Sequence, residues 1–206
     1  MEKIHYWKIS PEDWRNNHER WEKQWSICIK EKKIAMGWSN VGDLSELNID
    51  EIKDRLQTHY PKYKKSNYKT RLTRDAQQLL DFRNIENGAI IVANKGQKEI
   101  VGIGRVENKY YFNTIPVDFK HTLPVKRLDT EIREIKQQES WLQTVMPLTE
   151  LKVQELGICE VLSTYVYPDY FIIFRFLNFF QMLLSYFKKW FRFRYIVINP
   201  MDIRIE

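Results

Sequence analysis

Short apolar runs recur along the first 130 residues, and turn-forming residues separate them. Several of these runs are rich in β-branched and aromatic side chains, and runs of this length and composition are typical of β-strands. They predict strands over residues 3–9, 34–39, 89–93, 99–106, 109–113 and 121–128.

Other stretches place their apolar residues at helical spacing. Trp14, Trp21 and Trp25 recur on one face of a helix, and we interpret them as the apolar stripe that packs on the core. Further helical segments are predicted over residues 49–59, 71–83 and 130–165.

The stretch VANKGQKEIVGIGRV, residues 92–106, contains three glycines, Gly96, Gly102 and Gly104, and therefore has to be compared with a phosphate-binding loop. A dinucleotide fingerprint needs three glycines where a strand passes into a helix, and a P-loop needs Gly-Lys followed by Ser or Thr. Here Gly102 and Gly104 lie inside a predicted strand, and Glu107 takes the third glycine position. Glycines two apart share one face of a strand and let another segment approach closely. We therefore predict a hairpin with its turn near residues 94–98.

Strands separated by turns, with a few helices around them, predict an α+β fold. The expected architecture is a small curved β-barrel flanked by helices, with a C-terminal helical extension. We place the barrel domain at residues 1–130 and the extension at 131–206.

The segment 169–192 is strongly apolar and long enough to cross a bilayer. It also carries a polar stripe at helical spacing, and Arg175 in that stripe would be costly inside a membrane. Three interpretations remain: a helix for self-association or for docking a partner subunit, a helix on the membrane surface, and a membrane span. We favour the first. The stripe consists of Arg175, Asn178, Gln181, Ser185, Lys188 and Arg192.

Composition narrows the class of partner. The chain has 206 residues, a formal net charge of +6 and 14% aromatic residues, seven of them Trp. Positive charge suits an anionic partner, either nucleic acid or a membrane surface, and spare aromatic rings suit stacking on bases. Cys28 and Cys159 lie far apart and have no metal-binding spacing, and the N-terminus lacks an apolar leader, so we expect a cytoplasmic protein.

A basic, Tyr-rich loop between the second and third predicted helices is the first candidate for contact with a nucleic-acid backbone. Residues 60–69 interleave tyrosines with Lys62, Lys64 and Lys65. A solvated loop has the same composition, so both interpretations stay open. Arg105, in the predicted strand over residues 99–106, and Lys109 are further candidates for phosphate contact.

Four motifs occur in order, HYWKISPEDW, IAMGWSNVGDL, GAIIVANKGQKEIVGIGRVENKYYF and HTLPVKRL. Together they resemble the EVE/YTH-like branch of the PUA superfamily over roughly residues 3–130. They are most similar to the form of this domain that occurs at the N-terminus of some McrB-type modification-dependent restriction GTPases. The resemblance implies a PUA-like barrel with a pocket that accepts a flipped, often methylated base between aromatic side chains.

The resemblance also implies positions for that pocket. Trp38 matches the first aromatic wall and Ser39 the residue whose backbone faces the base edge. The second wall would come from Tyr110, Tyr111 or Phe112, with Tyr111 favoured. The remaining pocket positions that the resemblance implies are Asn94, Lys95, Lys8 and Ser10.

Signs of catalysis are few. The four histidines are scattered without zinc-binding spacing, and no nucleophile elbow or Walker motif occurs. Lys95 with Glu99 has the residue types of a hydrolase pair, but a turn pair of this kind is usually solvated. We therefore expect a non-catalytic module that needs no cofactor and no metal.

The expected function is to flip and read a modified base in DNA, with a methylated base favoured, in the service of restriction or defence. Two alternatives stay open: a PUA-like RNA-binding module, and an adaptor docked to a membrane or partner through residues 169–192. The identity of the modification is open as well, with N6-methyladenine slightly favoured over 5-methylcytosine.

Overall fold

The computed structural model describes residues 3–11, 18–114 and 118–165. The chain divides into two compact units, Met1–Ile158 and Cys159–Glu206. The described part of the second unit continues the helix that begins at Ile158 and ends at Tyr165. The predicted apolar helix at residues 169–192 lies outside the described residues. Within the described residues, no helix combines the length and apolarity of a membrane span.

The fold is α+β, with a curled half-barrel sheet and helices around it. The strands are β1 (Tyr6–Ile9), β2 (Lys33–Met36), β3 (Ile90–Lys95), β4 (Glu99–Val106), β5 (Tyr111–Phe112), β6 (His121–Asp129), β7 (Arg133–Glu134) and β8 (Val145–Leu148). The helices are α1 (His18–Lys30), α2 (Ile49–His59), α3 (Lys69–Arg83), α4 (Glu150–Glu155) and α5 (Ile158–Tyr165). Strands β1 to β6 overlap the six predicted ranges.

The strands pair in the order β2-β6-β4-β3-β1-β8, with β5 added to β6 and β7 to β4. Only β1 and β3 pair in parallel among the described strands, and the remaining pairs are antiparallel. Two register shifts, in the β3–β4 pair and in the β4–β6 pair, interrupt the ladder. Such irregularities increase twist and bend a strand, which accounts for the curl of the sheet.

The helices bury the faces that their patterns predict. Trp21, Trp25 and Cys28 of α1 are buried at helical spacing, which confirms the core role of the first two; Trp14 lies outside the described residues. Helix α2 begins with a capping box, in which Asn48 accepts from the backbone of Glu51 and Glu51 accepts from the backbone of Asn48. A cap of this kind stabilises a helix by about 1 kcal/mol.

The hairpin prediction is confirmed. Strands β3 and β4 pair antiparallel, and Lys95 faces Glu99 across the turn. Gly102 and Gly104 lie on one face of β4, and neighbouring side chains and backbone fill the space where a Cβ would stand. These glycines therefore serve close packing within the sheet, as their spacing predicts, and not the binding of a phosphate.

Gly104→Ala is expected to lower the free energy of unfolding by about 1–3 kcal/mol, the usual cost of overpacking. The new Cβ would lie 3.0 Å from the carbonyl oxygen of Lys126 and closer still to Cγ1 of Val125. Urea unfolding measures the loss, and a second change, Val125→Ala, should recover part of it. Unchanged stability of Gly104→Ala would mean that β6 does not pack against this glycine.

The helical prediction for residues 130–165 is wrong over its first half. Two strands stand there: β7 pairs with β4, and β8 pairs antiparallel with β1. The edge strand β8 has four residues, includes Pro147, and depends on pairing with a strand far away in sequence. Edge strands tolerate proline, but so short a run has no periodic signal. The sheet thus continues beyond the boundary predicted at residue 130.

Candidate functional site

A cleft of about 810 Å³ opens in the Met1–Ile158 unit. Segments from all along this unit line it: the loop after β2, one face of α3, the β3–β4 turn, and the stretch before β8. We call this cavity the cleft. Its aromatic lining residues are Trp38, Tyr60, Phe119 and Trp141. Its charged lining residues are Arg20, Lys62, Arg71, Arg74, Lys95, Lys98, Asp75, Glu99 and Asp118.

Cations outnumber acids among these residues by six to three. One of the acids, Asp75, is buried and pairs with two of these cations, Arg71 and Arg74. Burial, and next the nearby Arg71, lower the pKa of Lys62. Flat rings beside a net positive charge are the combination that binds an aromatic anion such as a nucleotide.

Trp38 has a left-handed backbone, with φ 60° and ψ 30°, and only one other non-glycine residue in the described chain has a positive φ. This conformation is strained for a residue with a bulky side chain. Several contacts hold it in place. The indole Nε1–H donates to the hydroxyl of Tyr63 at 3.1 Å, and the Trp38 carbonyl accepts from the backbone N–H of Val41 at 2.9 Å. Backbone strain that neighbours maintain is concentrated at functional sites, and the half-buried ring lines the cleft.

Asp75 anchors this arrangement from inside α3. Its carboxylate accepts from the Tyr63 hydroxyl at 2.7 Å, from Nε of both Arg71 and Arg74 at 3.4 Å, and from the amide of Gln78 at 3.2 Å. Burial and Asp75 raise the pKa of Tyr63, so its hydroxyl keeps its proton. The buried carboxylate of Asp75 thus orients Tyr63, the hydrogen-bond partner of Trp38, and keeps two half-exposed guanidinium groups at the cleft.

His121 supports Trp38 from the sheet side. Its Nε2 lies 3.2 Å from the Trp38 carbonyl, which only accepts, so Nε2 carries the proton. Its Nδ1 then accepts from the hydroxyl of Tyr110 at 2.9 Å, and that hydroxyl accepts from the backbone N–H of Leu44 at 3.3 Å. Burial lowers the pKa of His121 to about 4, which keeps the ring neutral at physiological pH.

Acid is expected to destabilise the domain between about pH 6.5 and about pH 4. The ordinary pKa of a histidine, 6.5, applies to His121 in the unfolded chain, whereas in the fold its pKa is about 4. Between these two values the unfolded chain therefore binds a proton that the folded chain does not. The free energy of unfolding therefore falls as the pH falls, by on the order of 3 kcal/mol from this residue. Urea unfolding across the window measures the slope. His121→Gln keeps a donor for the Trp38 carbonyl without titrating, and should reduce the slope; an unchanged slope would assign it to other groups.

The structure brings five of the predicted residues together in the cleft. They are Trp38, Ser39, Lys95, Ser10 and Lys62. The hydroxyl of Ser39 donates to the backbone carbonyl of Asp118 at 2.7 Å and accepts from the backbone N–H of Lys120 at 3.0 Å. Ser39 thereby ties the loop after β2 to the segment before β6.

The two tyrosines predicted to form the second aromatic wall lie outside the cleft. Tyr110 points its hydroxyl at His121, and burial raises its pKa; Tyr111 is 43% exposed on β5; neither lines the cleft. The aromatic side chains that share the cleft with Trp38 are Phe119, Trp141 and Tyr60. Tyr111 pairs with Thr122 of β6 and faces solvent, while the ring of Tyr110, just before β5, stacks on His121.

Lys8 and Asn94 are buried, at 0% and 1% exposure, and do not line the cleft. The ammonium group of Lys8 donates to the carbonyls of Trp141, at 3.1 Å, and of Gln143. Burial lowers the pKa of Lys8 to about 7. Asn94 donates to the carbonyl of Gly96 and so stabilises the β3–β4 turn. Both residues shape the wall of the cleft from behind, because the segments they bind do line it.

The other predicted phosphate contacts lie outside the cleft. Lys64 and Lys65 are exposed in the short 3₁₀ turns between α2 and α3, and Lys109 is exposed before β5. Arg105 is half-buried on β4. Lys95 forms an ion pair with Glu22 of α1 at 2.6 Å. Among the described residues, no group of three or more His, Cys, Asp or Glu side chains converges as metal ligands would.

Several cleft residues were not predicted from the sequence, among them Asp75, Arg71, Arg74, Phe119 and Trp141. Asp75 had a usable signal, since it is an acid at a helical position flanked by the apolar residues of the buried face of α3. Arg71 and Arg74 follow from it as its helical neighbours. Phe119 and Trp141 stand in irregular segments, where no periodicity reveals which way a side chain points.

A family model of conserved sequence matches residues 7–149, described as "Domain of unknown function (DUF8426)". The chain belongs to this family. The DUF8426 region begins within β1 and ends just after β8, so it contains every residue that lines the cleft. No curated protein matches the chain.

The DUF8426 chain is also similar to a solved structure, the protein Atu2648 from Agrobacterium tumefaciens. The two share 11% sequence identity, and the match covers 75% of this chain and 92% of the other, with a TM-score of 0.37.

Proposed function

We propose that the DUF8426 domain of this chain binds nucleic acid and reads a modified, methylated base of DNA, which it accepts into the cleft without catalysing a reaction. The observation that carries the proposal is the cleft itself, in which the strained and hydrogen-bonded Trp38 stands among six cationic side chains. Its volume of about 810 Å³ lies within the range of sites for small organic ligands.

Energetics favour such a reader. A base that leaves the duplex loses a few kcal/mol of stacking and pairing, and an aromatic side chain returns about 1–3 kcal/mol per stacked base. Trp38 presents a half-buried ring for this role, while Trp141 and Phe119 are almost fully buried and close the apolar part of the cleft. A methyl group buried against these rings adds about 0.8 kcal/mol of affinity.

The surrounding cations would hold the phosphates next to the extruded base. Arg71 and Arg74 are half-exposed, at 51% and 49%, although their inner edges bind Asp75. Their outer N–H groups therefore face solvent, and a guanidinium fork matches phosphate oxygens well. Contacts of this kind supply affinity that depends on salt, but they do not discriminate between bases.

The resemblance of the four sequence motifs extends the proposal. We propose that the half-barrel is a member of the EVE/YTH-like branch of the PUA superfamily and serves restriction or defence. The α+β half-barrel and the β3–β4 hairpin are compatible with it. Residues 169–192, outside the described part, would then serve self-association or attach a partner subunit.

Fluorescence anisotropy of the full chain tests the proposed function. The probes are labelled duplexes that are unmodified or carry N6-methyladenine, 5-methylcytosine or 5-hydroxymethylcytosine, with matched RNA as competitor, at about 0.05 and 0.2 M salt. We expect one modified duplex to bind at least tenfold more tightly than the unmodified one at both salt concentrations. Equal binding that disappears at the higher salt would overturn base reading, and a clear preference for the RNA would overturn the assignment to DNA.

A further inference from the structure

A second cavity of about 640 Å³ runs along α3 and shares part of its wall with the cleft. The two cavities share Arg74, Gln78 and Gln143, so they adjoin at these residues. We call this second cavity the α3 groove. The residues that line only the α3 groove are Lys69, Thr70, Thr73, Gln77 and Asp81.

The α3 groove has the shape of a track. Its helical residues repeat every three to four positions from Lys69 to Asp81, so they form one strip parallel to the helix axis. At 1.5 Å per residue the strip is about 18 Å long, comparable with the rise of roughly five base pairs of duplex. Hydroxyl and amide side chains dominate the strip, and none of its residues is aromatic.

Charge along the track is asymmetric. Residues 62–74 contain six cations and no acid. Lys69 stands at one end of the strip and Asp81 at the other, where Gln77 donates to the Asp81 carboxylate at 2.7 Å. Lys62 and Arg71, from the same basic segment, line the adjoining cleft. A polyanion that leaves the cleft past Arg74 therefore meets favourable charge toward Lys69 and unfavourable charge toward Asp81.

We propose that the α3 groove binds the sugar–phosphate backbone of the nucleotides that flank the base in the cleft, with the strand directed toward Lys69. The inference rests on the proposed function. It assigns the flanking strand to α3 and not to the region of Arg105 on β4 and Lys109 after it.

Charge reversal at one end of the track tests this. Lys69→Glu places an acid in the first turn of α3, where the helix dipole favours it, so the fold is not weakened. The matched control is Lys126→Glu, since Lys126 is exposed on β6 and lines neither cavity. Both variants change the net charge by the same amount. The probes are a 12-nucleotide strand or duplex with the preferred modified base and the corresponding modified nucleoside monophosphate.

Lys69→Glu is expected to weaken binding of the 12-nucleotide probe about tenfold and to reduce the salt dependence by close to one phosphate contact. Its ratio of modified to unmodified affinity should stay unchanged, because phosphate contacts carry no base information. Binding of the monophosphate should also stay unchanged, and Lys126→Glu should change either affinity less than threefold.

Equal weakening by the two variants would overturn the α3 groove, because it would show only the effect of total charge. The ratio of modified to unmodified affinity in the native chain reports separately on the proposed function. A native chain that reads the modified base but shows no difference between the two variants would retain the proposed function and lose the groove.

Discussion

Trp38→Ala is expected to weaken binding of the preferred modified oligonucleotide by roughly 10- to 100-fold. The loss corresponds to about 1–3 kcal/mol, the usual contribution of one base stacked on an aromatic side chain. Trp38 is a half-buried aromatic residue of the cleft, and the hydrogen bond from its Nε1 to Tyr63 fixes its orientation. Affinity for the unmodified duplex, which rests on phosphate contacts, should fall much less.

Two further variants make the Trp38 result interpretable. Trp38→Phe keeps a smaller ring for stacking and loses the hydrogen bond to Tyr63, so it should recover most of the affinity. Tyr111→Ala removes an exposed aromatic side chain outside the cleft and should leave affinity unchanged. The assignment of the cleft fails if Trp38→Ala binds the modified probe as well as the native chain does, or if Tyr111→Ala is the variant that loses selectivity.

Asp75→Ala is expected to lower the free energy of unfolding by about 3 kcal/mol and to reduce selectivity at the same time. The change leaves the Tyr63 hydroxyl and the Gln78 amide buried without their acceptor, and each such group costs about 1–3 kcal/mol. It also frees Arg71 and Arg74 from their partner. We therefore expect stronger, salt-sensitive binding to every duplex together with a smaller preference for the modified one.

The matched control is Asp54→Ala, which removes an exposed carboxylate from the neighbouring helix α2. Urea unfolding and anisotropy on both variants separate the buried network from the change in net charge. Equal stability of the two variants would show that the Asp75 network contributes little to folding. Preserved selectivity in Asp75→Ala would show that the network does not position Trp38.

Elements that form through contacts between residues close in sequence can be predicted from the sequence, whereas elements that form through distant contacts cannot. Helices α2 and α3 and the β3–β4 hairpin are encoded by local pattern, by the Asn48 cap and by the glycine spacing of β4, and they were predicted within a few residues. Strand β8 was missed because its four residues become a strand only by pairing with β1, more than 130 residues away.

The candidate site divides in the same way. Trp38 and Lys95 sit beside regular elements whose ends were predictable, and both line the cleft. Lys8 lies on β1 as predicted, but its side chain enters the interior to bind two carbonyls near β8, a segment predicted to be helical. Trp141 belongs to that same segment. Because this segment was predicted to be helical, neither the partners of Lys8 nor the aromatic cleft residue Trp141 could be identified from the sequence.

Photocross-linking tests the central claim most directly. A duplex that carries a photoreactive analogue at the position of the preferred modified base is irradiated on the full chain, and the cross-linked peptide is identified by mass spectrometry. Our account predicts a cross-link to the peptide of Trp38 or to that of Trp141, and its loss when unlabelled modified duplex competes. A cross-link to Tyr111, or to residues 169–192, would contradict the claim that the base enters the cleft.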